Sequence, residues 1–255
     1  MWKGGLRGLA YLSTTAKECR TAPRGTQSKD WQTHPSAPVS LIFITGLPGT
    51  GKSTLARSLA RHLGVPLICK DTIKEPLLDL LGAADRSESR CLSDASFAVM
   101  FALARDCLCA GTDVILEGNF RSGEHEIALS ASISDANTSD RNAPHAVRLT
   151  QILCRTPEPV RIARLKARAN DPSRHAGHRD ADLAANPAAD RAEADPASDP
   201  TVAFSSAPAT GSSPSASDFL ALPSERFVFD SDGDSTQLQA LLKSLEQRNR
   251  DHPHI

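Results

Sequence analysis

"VSLIFITGLPGTGKSTLARSLARHLG", residues 39–64, decides the fold. Residues 39–45 form a continuous apolar, β-branched run, the pattern of a strand buried on both faces. From Lys52 the apolar residues recur at helical spacing, and Gly64 stands where a left-handed cap would stop the helix. Between strand and helix lie Gly46, Leu47, Pro48, Gly49, Thr50, Gly51, Lys52 and Ser53, in the G-x-x-x-x-G-K-[ST] spacing of a P-loop. Each residue type has a physical task. The glycines reach backbone angles that other residues avoid, so consecutive amides can point at phosphate oxygens. The start of the helix adds its positive end, with Thr54 in the first turn. Lys52 would reach the β- and γ-phosphates, and the Ser53 hydroxyl would hold Mg²⁺. A buried strand before the motif and a helix after it are the context it requires.

Working outward, "PLIC" (66–69) reads as a second strand and "TIKEPLLDLLG" (72–82) as a helix with Pro76 near its first turns. "SDASFAVMFALARDCLCAG" (93–111) reads as a long buried helix and "TDVILEG" (112–118) as the third strand. "RLTQILCRT" (148–156), "PEPVRIARLKARAND" (157–171), "RFVFDS" (226–231) and "STQLQALLKSLEQR" (235–248) continue as strand, helix, strand and helix. This alternation predicts an α/β fold with about five mostly parallel strands and helices on both faces. Residues 180–218, rich in Ala, Asp, Pro and Ser, predict a disordered insertion inside a domain spanning 39–250.

Residues 1–38 carry Lys3, Arg7, Lys17, Arg20, Arg24 and Lys29 against only Glu18 and Asp30. They read as a basic, unstructured leader, with an organellar transit peptide as the alternative. The 255 residues are 40% hydrophobic, enough for a core, and a formal net charge of -1 gives no overall pull toward nucleic acid or membrane. No apolar run reaches about 18 residues, so no membrane-spanning helix is expected. The six cysteines form no Cys-x-x-Cys pair and mostly sit in apolar runs, which points to a reducing, cytoplasmic compartment.

A P-loop alone does not separate a kinase from a GTPase switch or a motor ATPase. The guanine-reading Asn-Lys-x-Asp is absent, and "DSDGDS" (230–235) fails as a calcium loop because its sixth position is Ser235 and its twelfth Leu241. Phosphoryl transfer to a hydroxyl needs Mg²⁺, positive charge and usually a carboxylate that takes the proton. Asp71 follows the second strand, at the edge where parallel sheets bind ligands, so it reads as that base; the plainer alternative is an N-cap of the next helix. Glu117 ends "VILE", where a buried acid needs a partner such as a Mg²⁺-bound water or the acceptor. Asn119 and Arg121 in "EGNFR" are expected to grip the acceptor. Arg161, Arg164 and Arg168 share one helix face, which suggests a lid donating arginines to the phosphate, against the alternative of a solvated basic helix. Arg174, His175 and His178 in "RHAGH" would add phosphate contacts, but two histidines are too few for a metal site.

With "FITGLPGTGKSTLARSLA", "KDTIKEPLLDLLG", "VILEGNF" and "RLKARANDPSRHAGH" assembled, the chain resembles the small bacterial P-loop kinases grouped with AAA-type ATPases. Their relatives include chloramphenicol phosphotransferase, gluconate kinase, zeta toxin and the polynucleotide kinases. The resemblance covers about 40–178 and 222–245. It implies a P-loop nucleoside triphosphate hydrolase fold with an Arg-rich lid, ATP and Mg²⁺ as cosubstrates, and phosphorylation of a hydroxyl. It also implies Asp71 as base, with Arg164 and Arg168 on the phosphates. The basic leader and the insertion depart from the group. Its members act on antibiotics, sugars, nucleotide sugars and nucleic-acid ends, so the group does not name a substrate; a small-molecule hydroxyl is the expected acceptor. A nucleic-acid 5′-hydroxyl kinase is the first alternative, disfavoured by only 4% aromatics, and a regulatory ATPase is the second.

Overall fold

Strand β1 (Val39–Thr45) runs through the centre of a five-stranded, wholly parallel sheet of order β2-β3-β1-β4-β5. The computed structural model describes residues 38–138, 146–178, 180–186, 218–233 and 235–250, all within the compact unit Thr33–Ile255. The other strands are β2 (Leu67–Cys69), β3 (Val114–Glu117), β4 (Val147–Arg155) and β5 (Glu225–Asp230). The helices are α1 (Lys52–Leu63), α2 (Lys70–Leu81), α3 (Arg86–Cys109), α4 (Glu126–Thr138), α5 (Glu158–Ala169), α6 (Asp180–Ala185) and α7 (Ser235–Arg250). A 3₁₀ turn, Ala176–His178, precedes α6.

Alternate residues of the central strands feed two cores. Val39, Leu41 and Phe43 of β1 and Val114 and Leu116 of β3 pack with Phe97, Met100, Phe101, Ala104 and Leu108 of α3 and Leu129 of α4. Ile42, Ile44 and Ile115 face the other way, onto Leu55, Ala56 and Leu59 of α1 and Leu241 and Leu245 of α7. Each fully buried side chain contributes roughly 1.5–3 kcal/mol, which is why the apolar runs of β1 and β3 fix them at the centre.

The chain passes from β1 to β2 at one edge, returns in β3, and crosses to β4 and β5 on the other side. That reversal opens a crevice at the carboxyl ends of β1 and β3. There Glu117 lies in register with Ile44 on one side and Cys69 on the other.

Three boundaries differ from those expected. α3 begins at Arg86, seven residues before Ser93, because Asp85 accepts the Glu88 N–H (2.9 Å) while Glu88 accepts the Ala84 N–H (2.7 Å). This capping box is worth about 1 kcal/mol. In α2, Pro76 sits in the interior, leaving the Thr72 carbonyl without its usual helical donor. The expected insertion, 180–218, is ordered where it begins: 180–185 form α6 with Asp180 buried, and just past its far end Leu220 is anchored by Gln151 of β4. Gln151 donates through Nε2 to the Leu220 carbonyl (3.1 Å) and accepts the Leu220 N–H at Oε1 (2.9 Å). Residues 187–217, like the expected leader up to residue 37, lie outside the described residues.

Candidate active site

The loop between β1 and α1 owes its shape to close packing. Gly46 has φ 137°, and a Cβ there would stand 2.3 Å from the Cys154 carbonyl oxygen. Gly51, at φ 88°, packs so that a Cβ would come 2.9 Å from the Ser231 Cβ. The Thr50 hydroxyl (2.7 Å), the Thr50 N–H (3.3 Å) and the Lys52 ammonium (3.0 Å) all donate to the carbonyl of Leu47. Burial pushes the Lys52 ammonium below its ordinary pKa, and the charges of Glu117 and Asp71 oppose that shift. Ser53 is half-buried in the first turn of α1, with Thr54 beside it exposed. A backbone cradle that side chains would fill, a buried ammonium, a hydroxyl and a carboxylate make a donor set that fits a triphosphate and a hard cation. Ser53 and Glu117 are the two oxygen donors such a cation would meet here.

Helix α5 braces this loop. The Arg161 side chain, only 1% exposed, donates through Nε (2.9 Å) and a terminal nitrogen (3.0 Å) to the two oxygens of Glu158, and through its other nitrogen to the Pro48 carbonyl (3.4 Å). Its stem also fills the space a Cβ on Gly49 would need. Arg161 is therefore a correction to the expected phosphate-facing trio: its charge is neutralised one helical turn away. Arg164 donates to the Ser231 hydroxyl (2.6 Å), the Ser231 carbonyl (3.2 Å) and the Gly49 carbonyl (3.4 Å), tying the loop to the end of β5. Arg168 makes no hydrogen bond or ion pair among the described residues. Burial lowers its pKa, Arg174 and Arg164 lower it further, and Asp180 and Asp71 oppose.

On the other side of the crevice, α2 begins at Lys70, with Cys69 at the cap position and no side-chain cap bond. Asp71 is therefore not the N-cap; it stands inside the first turn, where the helix dipole favours its charge. Its carboxylate lies 3.3 Å from the Lys70 ammonium and 3.7 Å from Nδ1 of His178. Burial alone would push the Asp71 pKa up, but Lys70, His178 and Lys52 outweigh it and hold the group below the ordinary carboxylate range. Glu117, 4% exposed, faces the half-buried Cys69 thiol, which desolvation and Glu117 push up to about 12.

The loop after β3 differs from the expected acceptor grip. Asn119 accepts from the Lys70 ammonium (3.1 Å) and so orients it beside Asp71. The buried guanidinium of Arg121 is tied to Glu124 (2.7 Å), and the Arg121 backbone N–H donates to Nδ1 of His125 (2.8 Å). Burial holds the His125 imidazole below its ordinary pKa, consistent with an accepting, neutral ring. Arg121 thus shapes the loop instead of presenting a free charge. Lys70 and Glu75 belong to the site as well; the spacing of Asp71, Glu75 and Asp79, four apart on one helix face, is the signal for Glu75, and adjacency to Asp71 the signal for Lys70.

The description "AAA domain" attaches to the family whose profile matches residues 41–185. A shikimate kinase from Paracidovorax citrulli (strain AAC00-1) is 39% identical over 64 residues, covering 24% of this chain and 35% of its own length. The match thus spans about a third of that relative. A candidate kinase from Chloroflexus aurantiacus j-10-fl superposes with a TM-score of 0.59 at 23% identity, covering 86% of this chain and 99% of that one, and shares the fold. A sugar kinase from Janibacter sp. HTCC2649 gives a TM-score of 0.49 at 13% identity, over 85% of this chain and 100% of its own.

Proposed function

The chain belongs to the AAA domain family, and from that premise we propose that it is a kinase moving the terminal phosphoryl group of ATP to a hydroxyl of a small molecule. The observation that carries the reading is Asp71: a carboxylate kept ionised at the mouth of the P-loop, within reach of Lys52's charge. The P-loop amides and Lys52 bind the phosphates. Asp71 accepts the proton of the attacking hydroxyl as its oxygen bonds to phosphorus and the bond to the departing ADP breaks. Lys70, oriented by Asn119, keeps Asp71 charged until that moment. Arg168 supplies positive charge to the transferring group, and Arg164 holds the loop in register. Ser53 and Glu117 would hold Mg²⁺, which when bound would supply positive charge to the phosphate oxygens.

The kinase domain is taken to span 39–250. The described cysteines are free, which supports a reducing, cytoplasmic setting. Among the described residues no helix is long and apolar enough to cross a membrane.

The test is a screen of hydroxyl-bearing metabolites and antibiotics for ATP-dependent phosphorylation, followed by Asp71→Asn on the acceptor found. That variant should lose about 10²–10⁴-fold in kcat while ATP affinity persists. Full transfer by Asp71→Asn would remove Asp71 from the role of base. Failure of every acceptor class would favour a nucleotide-binding regulator.

A further inference from the structure

Three acidic residues of α2, Asp71, Glu75 and Asp79, are spaced four apart and so line one face of the helix. Such a row repels itself unless something sits against it. The turn that follows α5 does so with two histidines. His175 donates through Nε2 to Asp79 Oδ1 (3.0 Å) while its Nδ1 accepts the Gly177 N–H (3.0 Å). His178 turns both ring nitrogens to carboxylates: Nε2 donates to Glu75 Oε1 (2.5 Å) and Nδ1 lies 3.7 Å from Asp71 Oδ2.

Two further features seat the turn. A Cβ at Gly177 would come 2.5 Å from Leu78 Cδ1, so glycine lets the backbone lie directly on α2. Behind it, Arg174 pairs with the buried carboxylate of Asp180 (2.9 Å), fixing the turn to α6. His178 is more than a hundred residues from Asp71 in sequence, and its contact with the base exists only while the turn is seated.

We propose that His178 is a positioning residue for phosphoryl transfer: by bridging Glu75 and Asp71 it docks the segment 174–185 on α2 and fixes the orientation of the Asp71 carboxylate. Asp71 is held from two sides, with Oδ1 toward Lys70 and Oδ2 toward His178. Removing the second contact leaves the carboxylate free to rotate about Lys70. The same seating holds Arg174 and Asp180 beside Arg168, so base and cation are set by one docking event. His175 docks the turn without touching Asp71, which separates docking from positioning.

The catalytic half of this inference rests on the kinase reading; its structural half does not, and the experiment reads the two apart. In the full chain, His178→Gln should speed amide exchange of peptides covering 171–186 by about tenfold, while peptides from β1 and β3 exchange as in the wild type. With an acceptor in hand, the same variant should lower kcat by about tenfold, with KM for ATP changed less than about twofold, because a displaced base slows chemistry without weakening phosphate binding. His175→Gln should speed exchange similarly but lower kcat by less than about threefold. Glu75→Gln, which keeps the shape and removes the charge, should act in the same direction as His178→Gln and guards against a misfolded variant. Unchanged exchange in both His178→Gln and Glu75→Gln would overturn the docking. Faster exchange with unchanged kcat, or equal kcat losses in His175→Gln and His178→Gln, would overturn the positioning of Asp71. Full activity in Asp71→Asn would strike at the kinase chemistry instead and leave the exchange result standing.

Discussion

The two walls of the crevice are built by different physics. The phosphate wall is mostly backbone: Leu47 gathers three donors, and Arg161 and Arg164 are bound to Glu158, Pro48, Gly49 and Ser231. The facing wall, which the proposed function assigns to the acceptor, is mostly paired side chains from distant segments: Lys70 with Asn119 and Asp71, His178 with Asp71 and Glu75, Arg121 with Glu124. A backbone cradle recognises what all triphosphates share. A wall of paired charges can be re-aimed by single substitutions, so it is where acceptor choice can vary without harm to the loop.

The sharpest way to break this contrast is Gly46→Ala. The added methyl would meet the Cys154 carbonyl in a backbone conformation that alanine avoids, and stability should fall by about 3 kcal/mol or more in urea unfolding, with nucleotide binding lost. Retained binding would mean that the loop can part from β4. Next comes Arg161→Met, which keeps an apolar stem against Gly49 but removes the guanidinium's bonds to Glu158 and to the Pro48 carbonyl; about 1–3 kcal/mol should be lost. An unchanged urea midpoint would show that the loop stands without its brace.

A smaller effect belongs to the acceptor wall. The Asp71 carboxyl is depressed in the folded protein, so its stabilisation is present above the unfolded value of about 3.9 and is lost as pH falls through the folded one. The stability gap between wild type and Asp71→Asn, followed by thermal unfolding from pH 7 to pH 3, should hold constant and then shrink below about pH 4. A constant gap down to pH 3 would contradict the depressed pKa. Smallest is Asn119→Ala, which leaves Lys70 to its pairing with Asp71 and should lower kcat about two- to fivefold with KM for ATP unchanged.

The same contrast explains what could be read without coordinates. The phosphate wall is legible because its residues are contiguous and each has a fixed geometric task, and the apolar runs of β1, β3 and β4 dictate the parallel sheet around it. α4, "EIALSASISDANT", gives no comparable signal, because small alanines and serines leave its apolar stripe faint. Arg161 is misleading in sequence: its spacing matches Arg164 and Arg168, yet the helix turns that face into the protein. Glu158, three residues earlier, was the clue that its charge has a local partner. Asp71 as a cap is two residues out, since the helix takes in Lys70 and the cap position falls at Cys69. The docking of His178 on α2 is a tertiary contact and has no local signature.

The bond from Arg164 to Ser231 carries a consequence for how the protein is made. Ser231 leaves the ribosome roughly 180 residues after Gly51, about ten to forty seconds later at ordinary rates of synthesis. Until then Gly51 lacks the neighbour it packs against and Arg164 lacks its principal partner. The nascent chain therefore holds a complete nucleotide motif well before it holds a rigid one, and the last strand acts as the fastener that ends this interval.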